Sequence, residues 1–317
     1  MKASGPLVVE AVRGNVVEST HLVDVAVAGP DGMLVAWAGE PETVAFLRSS
    51  AKPIQATVCL ELGWEPPGEP QLAVACASHN GEPRHIEAVR ATLGAAGLDD
   101  SALRCPWAMP SVVGNARPPE PTGRIYHNCS GKHAAMLAAS VANGWAIHEY
   151  MRVDNELQRA IRARIEGLAG RASRAVAGDG CGVPTFAFTL AESARLFASL
   201  PGEAPRALAA MRANAFLVAG SNRICTSVMS WVPGVVIKVG AEGLMCGVMG
   251  ESRIGFALKT RDGTARGREI AAVRVLEALG GLGHISPERI LKDILPRLSP
   301  GPGRHPELRC RGELTRA

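Results

Sequence analysis

The turn chemistry of residues 29–32 sets the first constraint on this chain. Gly29-Pro30-Asp31-Gly32 separates two apolar runs, 22–28 and 33–37. Asp-Gly between such runs is a strong hairpin signal, because both residues tolerate positive φ. With the Val-rich segment 7–12 ahead of it, the N-terminus reads as antiparallel strands. The same signals return after Pro233, in segments 234–239, 244–248 and 253–259, separated by Ala241-Glu242-Gly243 and Gly250-Glu251. Between the two blocks, helical spacing dominates from about residue 50 to 230. Ile86, Val89 and Leu93 mark a helix over 83–94, and Ser130 is the expected N-cap of an Ala-rich helix over 131–142. Segments 154–167, 190–199, 204–216, 267–279 and 286–297 also read as helices, and Leu72–Ala77 as a strand-like apolar run.

This order predicts an α+β fold: an antiparallel sheet built from both chain ends, with a helical region inserted. No repeat or low-complexity linker interrupts it. Residues 1–298 therefore read as one composite domain, and 299–317, rich in Pro, Gly and Arg, as a loosely packed tail.

Composition narrows the class. Hydrophobic residues make up 47% and charged residues 20% of 317, enough for a packed core and too apolar for a disordered chain. The net charge of +4 is spread without a long run of one sign, which counts against a nucleic-acid partner. No apolar stretch reaches the roughly 18 residues of a membrane span, and the first 14 residues lack a signal-peptide core. The eight cysteines form no CxxC pair, so reduced thiols and a cytoplasmic location are expected. Only six of the 34 basic residues are lysines.

Three short motifs carry chemistry. Ser49-Ser50-Ala51-Lys52 is an SxxK pattern; at a helix start its ends share a face, and a desolvated lysine can act as base on the serine hydroxyl. Ser78-His79-Asn80 follows an apolar run, and Lys259-Thr260 closes the last strand segment before Arg261. Serine β-lactamases and penicillin-binding proteins use SxxK, SxN and KTG in this chain order, with glycine where Arg261 stands here. Arg48 is a candidate fork for a substrate carboxylate. Separately, Cys129 and His133 form an i, i+4 pair, and Cys181 in Asp179-Gly180-Cys181-Gly182 offers a third soft ligand for zinc. The same spacing also suits two buried cysteines.

Five segments occur together and in order: Arg48–Pro53, Ala77–Glu82, Asn128–His133, Gly178–Gly182 and Lys238–Gly243. Over residues 7–297 the chain resembles the Rhizobium etli-type L-asparaginases, the thermolabile, inducible asparaginase II family. The resemblance implies a β-lactamase/glutaminase-like fold, a homodimer, and hydrolysis of L-asparagine to L-aspartate and ammonia through an acyl-enzyme. It implies Ser49 as nucleophile with Lys52 as its base, and Ser78 with Lys259 as a second pair. It further implies Cys129, Lys132 and Cys181 as zinc ligands beside Asp179, where spacing alone selects His133. Asn80, Arg48 and Asp179 are the expected substrate-binding residues. The competing expectations are a glutaminase, a penicillin-interacting SxxK hydrolase, and a non-catalytic zinc-stabilised amino-acid-binding protein.

Overall fold

A computed structural model describes residues 4–111, 122–298 and 306–317. The elements run β1 (Leu7–Arg13), β2 (Val16–Ala28), β3 (Leu34–Ala38), β4 (Val44–Phe46), α1 (Lys52–Glu61), α2 (Glu69–Ala75), α3 (Pro83–Ala95), α4 (Ser130–Ala142), α5 (Glu156–Ala169), β5 (Ala175–Gly178) and β6 (Pro184–Thr189). They continue with α6 (Leu190–Glu203), α7 (Pro205–Ala213), α8 (Ala215–Ala219), α9 (Ile224–Trp231), β7 (Val235–Val239), β8 (Leu244–Met249), β9 (Ile254–Thr260), α10 (Ala265–Ala278), α11 (Pro287–Leu298), β10 (Glu307–Arg311) and β11 (Thr315–Arg316). The chain divides into two compact units. A sheet unit falls within Met1–Ser50, Ala187–Pro201 and Asn222–Ala317, and a helical unit within Ala51–Phe186 and Gly202–Ser221.

The sheet unit is the antiparallel sheet expected from both chain ends. Its path is β10-β1-β2-β9-β8-β7, with β3 on β2 and β11 on β3, among the described residues. One edge of β2 takes β1 along its first half and β3 along its second; the other edge takes β9. The β2–β3 connection is the anticipated hairpin, with Gly32 at φ +78°. The β2–β9 ladder joins the two ends of the chain and sets Asp24 opposite Lys259. Val23, Val25, Val27, Phe256 and Leu258 fill the core beneath it. Against β9, helix α6 approaches so closely that a Cβ on Gly255 would lie 2.2 Å from the Ala194 carbonyl oxygen.

The helical unit is centred on α4, buried at every residue from Ser130 to Ser140 and packed by α1, α2 and α3. A helix buried on every side needs a shell of other helices, so this region closes a core of its own. Gly131 permits the closest crossing: a Cβ there would sit 2.2 Å from the Val74 carbonyl oxygen of α2.

Four local expectations are corrected. Leu72–Ala77 is not a strand: Leu72–Ala75 end helix α2, which starts with Pro at N1/N2. Its apolar run is buried on all sides, and such a run carries no period to reveal the helix. Ser130 is not an N-cap; it is the first helical residue, and its hydroxyl donates to Ile125 O at 2.7 Å. The helix expected over 204–216 breaks at Asn214 (φ −129°, ψ 47°) into α7 and α8. The end of the chain is not loose: β10 pairs with β1 and β11 with β3, covering edges that would otherwise present open backbone groups. The rest of the expected tail, residues 299–305, lies outside the described residues.

No described helix is long and apolar enough to cross a membrane. All eight cysteines are free thiols, and all but Cys310 are buried.

Candidate active site

In the helical unit the site begins at the end of α2. After Cys76 the chain runs extended, and Ser78 N and Asn80 N donate to Val218 O and Ala219 O, both at 2.9 Å. These two bonds pin the Ser78–Asn80 segment. Lys52, the first residue of α1, is fully buried. Its Nζ donates to Ala77 O, to Ser78 Oγ at 3.1 Å and to Asn128 O at 3.4 Å. Three donors meet three oxygens, so the buried amine is satisfied without a carboxylate. The arrangement suits proton exchange between Lys52 and Ser78.

His79 is occupied structurally. Its Nδ1 accepts from Gly81 N at 3.1 Å, which leaves Nε2–H to donate to Ser130 Oγ at 3.0 Å. Burial, then the charges of His85 and Lys52, hold its pKa well below the usual range. It is therefore a neutral strut within the SxN segment.

Beside this segment, the start of α4 meets the Asp179–Val183 turn. Lys132 Nζ lies 2.9 Å from Cys181 Sγ, and Asp179 Oδ2 lies 3.8 Å from the same sulfur. Cys129 Sγ lies 2.9 Å from Asn128 Oδ1, and its pairing with Cys181 and the charges of Lys52 and Lys132 outweigh burial and hold it well below the ordinary thiol pKa. Cys181 is held high by the same pairing and by burial. Burial opposes the Lys132 ammonium, but Cys181 and Cys129 raise its pKa overall. Two thiols and one amine thus converge, a donor set that fits a soft divalent ion once protons are lost. Among the described residues no three His, Cys, Asp or Glu side chains are grouped to hold a metal. His133, the ligand chosen by spacing, faces Tyr150 instead, with Nδ1 2.6 Å from its hydroxyl.

The sheet unit carries the other expected residues. Arg48–Ala51 forms one 3-10 turn, entered through Arg48 at φ +48°. Positive φ at a non-glycine residue is strained, and strain of this kind gathers at functional turns. The turn also separates the two serines. Ser50 is fully buried and donates to Leu47 O at 2.5 Å, whereas Ser49 stays partly exposed. Lys259, half-buried at the end of β9, donates to Thr260 O at 2.7 Å. Burial lowers its pKa against the pull of Glu242, Asp262 and Asp24. The Gly240–Gly243 turn packs nearby in the same unit. Gly240 lies against Leu47 O, Arg268 donates to Gly240 O at 2.7 Å, and Thr260 N donates to Gly243 O at 3.0 Å.

Arg261, standing where the third motif has glycine, has a structural role. Its guanidinium forks onto buried Asp24, Nε to Oδ2 at 2.9 Å and Nη2 to Oδ1 at 2.7 Å, tying the end of β9 to β2.

Sequence reasoning missed the Val218–Ser221 segment and the role of Glu82. Glu82 lies inside a matched segment, but its partner Ser221 is 139 residues away with no motif to mark it.

The helical unit thus gathers buried amines, hydroxyls and thiols around Ser78 and Cys181. A family model described as L-asparaginase II matches residues 9–299; the chain belongs to that family and so to the amidohydrolases. No curated protein matches the sequence. Among solved structures, a β-lactamase from Mycobacterium bovis is 17% identical, covering 82% of this chain and 95% of its own, with a TM-score of 0.41. A Bacillus glutaminase is 14% identical, covering 77% and 84%, with a TM-score of 0.43. Mglu in its native form is 14% identical, covering 83% of this chain and 66% of its own, with a TM-score of 0.37.

Proposed function

We propose that this protein hydrolyses L-asparagine to L-aspartate and ammonia through a serine-bound acyl intermediate, in the manner of the Rhizobium etli-type enzymes. The observation that carries the reading is the fully buried Lys52 amine, 3.1 Å from the Ser78 hydroxyl. A lysine so desolvated serves proton transfer better than surface pairing.

On the family pattern, Ser49 Oγ attacks the side-chain amide carbon and gives its proton to Lys52. Lys52 passes a proton through Ser78 to the amide nitrogen, the C–N bond breaks, and ammonia leaves. Water then enters, its proton returning by the same route, and cleaves the ester to release aspartate. Lys259 is the second amine of the scheme; its lowered pKa suits it to proton exchange near neutrality better than an exposed lysine. Arg48 and Asn80 are the proposed substrate contacts, with Asp179 beside the thiols.

Cys129, Cys181 and Lys132 would hold zinc. The ion, when bound, supplies a Lewis-acidic anchor for substrate or water. We assign the protein as a cytoplasmic homodimer; light scattering of the purified protein tests the assembly.

The decisive experiment measures ammonia release from asparagine and from glutamine, before and after chelation, for the wild type and Ser49→Ala. Asparagine turnover that falls by about a thousand-fold or more in a folded Ser49→Ala variant is the expected result. Preferred turnover of glutamine makes the protein a glutaminase. Binding of asparagine without turnover makes it a binding protein. Retained activity in Ser49→Ala overturns the nucleophile.

A further inference from the structure

Glu82 is joined to the site segment by more hydrogen bonds than any motif predicts. Its Oε1 accepts from Asn80 Nδ2 at 2.9 Å and from Ser221 N at 2.8 Å, and its Oε2 accepts from Ser221 Oγ at 2.9 Å. Asn80 Nδ2 also donates to Ser221 O at 3.0 Å. Both hydrogens of the Asn80 amide are thereby directed at the clamp. The amide cannot turn over without setting its oxygen against a carboxylate and a carbonyl, so Oδ1 is fixed as the acceptor end.

The backbone is shaped to admit this carboxylate. Gly220 sits at φ +106°, and a Cβ there would lie 2.4 Å from Glu82 Oε1. From the other side, Glu82 N donates to His85 Nδ1 at 3.1 Å, and His85 Nε2–H donates to Phe216 O at 3.1 Å. The second contact reaches α8, whose Val218 and Ala219 carbonyls hold Ser78 N and Asn80 N. Burial opposes ionisation of Glu82, but the bonds from Ser221 and Asn80 outweigh it and hold its pKa below the usual carboxylate value.

We propose that Glu82 is a positioning residue of the amidohydrolase site: it fixes Asn80 with its amide oxygen as acceptor and locks Ser78–Asn80 onto Val218–Ser221. The inference rests on reading Ser78 and Asn80 as site residues.

Glu82→Gln tests it, since glutamine offers one acceptor oxygen and an N–H₂ where three donors now converge. For asparagine hydrolysis, KM rises by roughly ten-fold or more while kcat changes by less than about three-fold. Glu82→Asp, which restores the charge, recovers part of the loss. A crystal structure of Glu82→Gln without substrate reads the geometry directly, showing Asn80 turned or the 218–221 segment displaced. Unchanged KM, or a loss that tracks only a lowered melting temperature and is not relieved by Glu82→Asp, overturns the proposal, as does wild-type placement of Asn80 in that crystal. A wild type inactive on asparagine overturns the proposed function, and the crystallographic readout still decides the role of Glu82.

Discussion

In the sheet unit the buried carboxylates sit against guanidinium groups: Asp24 in the fork of Arg261 at 2.7 and 2.9 Å, and Glu269 on Arg268 at 3.0 Å. In the helical unit the buried amines sit against neutral oxygens and sulfur: Lys52 on two carbonyls and a hydroxyl, Lys132 on Cys181. An ion pair that loses one partner leaves an uncompensated buried charge, so such pairs tie the fold together. Lys52 is held by hydrogen bonds to neutral oxygens, whereas Cys181 and Cys129 raise the pKa of Lys132. The sheet unit thus pairs its buried carboxylates with guanidinium groups, although it too holds a buried amine on a carbonyl, Lys238 on Val239 O at 3.1 Å.

The sharpest way to break this contrast is a pair of methionine substitutions. In Lys52→Met, ammonia release is expected to fall by about 10² to 10⁴-fold while the melting temperature holds or rises. Arg268→Met leaves Glu269 buried without its partner and is expected to cost about 3 kcal/mol of stability. Calorimetry and activity measured on both decide; a Lys52→Met variant that unfolds beside an unperturbed Arg268→Met reverses the comparison.

A smaller effect follows from the crossing of α4 over α2. Gly131→Ala places a methyl 2.2 Å from Val74 O, so stability is expected to drop by on the order of 1–3 kcal/mol, with activity lost as Cys129 and Lys132 shift.

Acid sharpens the comparison further. His79, His85 and His133, all in the helical unit, have pKa values lowered chiefly by burial. As pH falls through about 6.5 the unfolded histidines take up protons that the folded ones refuse, so this stability is present at neutral pH and lost in acid. Hydrogen exchange at about pH 7.5 and 5.5 is expected to show protection falling in helical-unit peptides before sheet-unit peptides. Equal loss in both units removes the distinction. The smallest expected effect is a gain: Gly94→Ala, in α3 with open space around it, raises stability by roughly 0.5–1 kcal/mol.

Much of the fold was legible because its signals are local. Asp31-Gly32 announced the hairpin, apolar runs between Gly-containing turns announced β7 to β9, and Ile86, Val89 and Leu93 announced α3. Ser49, Lys52, Ser78 and Lys259 stand in short patterns, and of these the structure brings Lys52 to Ser78. Where the reading failed, the deciding contact was remote. α2 looked like a strand because burial on every side erased its period. The last residues looked loose because their partners, β1 and β3, lie at the other end of the chain.

Local sequence determined which residues are chemically capable: the serines, the lysines that can lose a proton where arginine cannot, and the thiols at a helix start and a tight turn. Tertiary structure decided which of them meet. It set Lys52 on Ser78, chose Lys132 over its neighbour His133 as the group facing Cys181, and gave Arg261 to Asp24. It also brought Glu82 to Ser221. The reason is physical: propensity and period act over a few residues, whereas the direction of a buried side chain is fixed by the atoms packed around it, most of them distant in the chain.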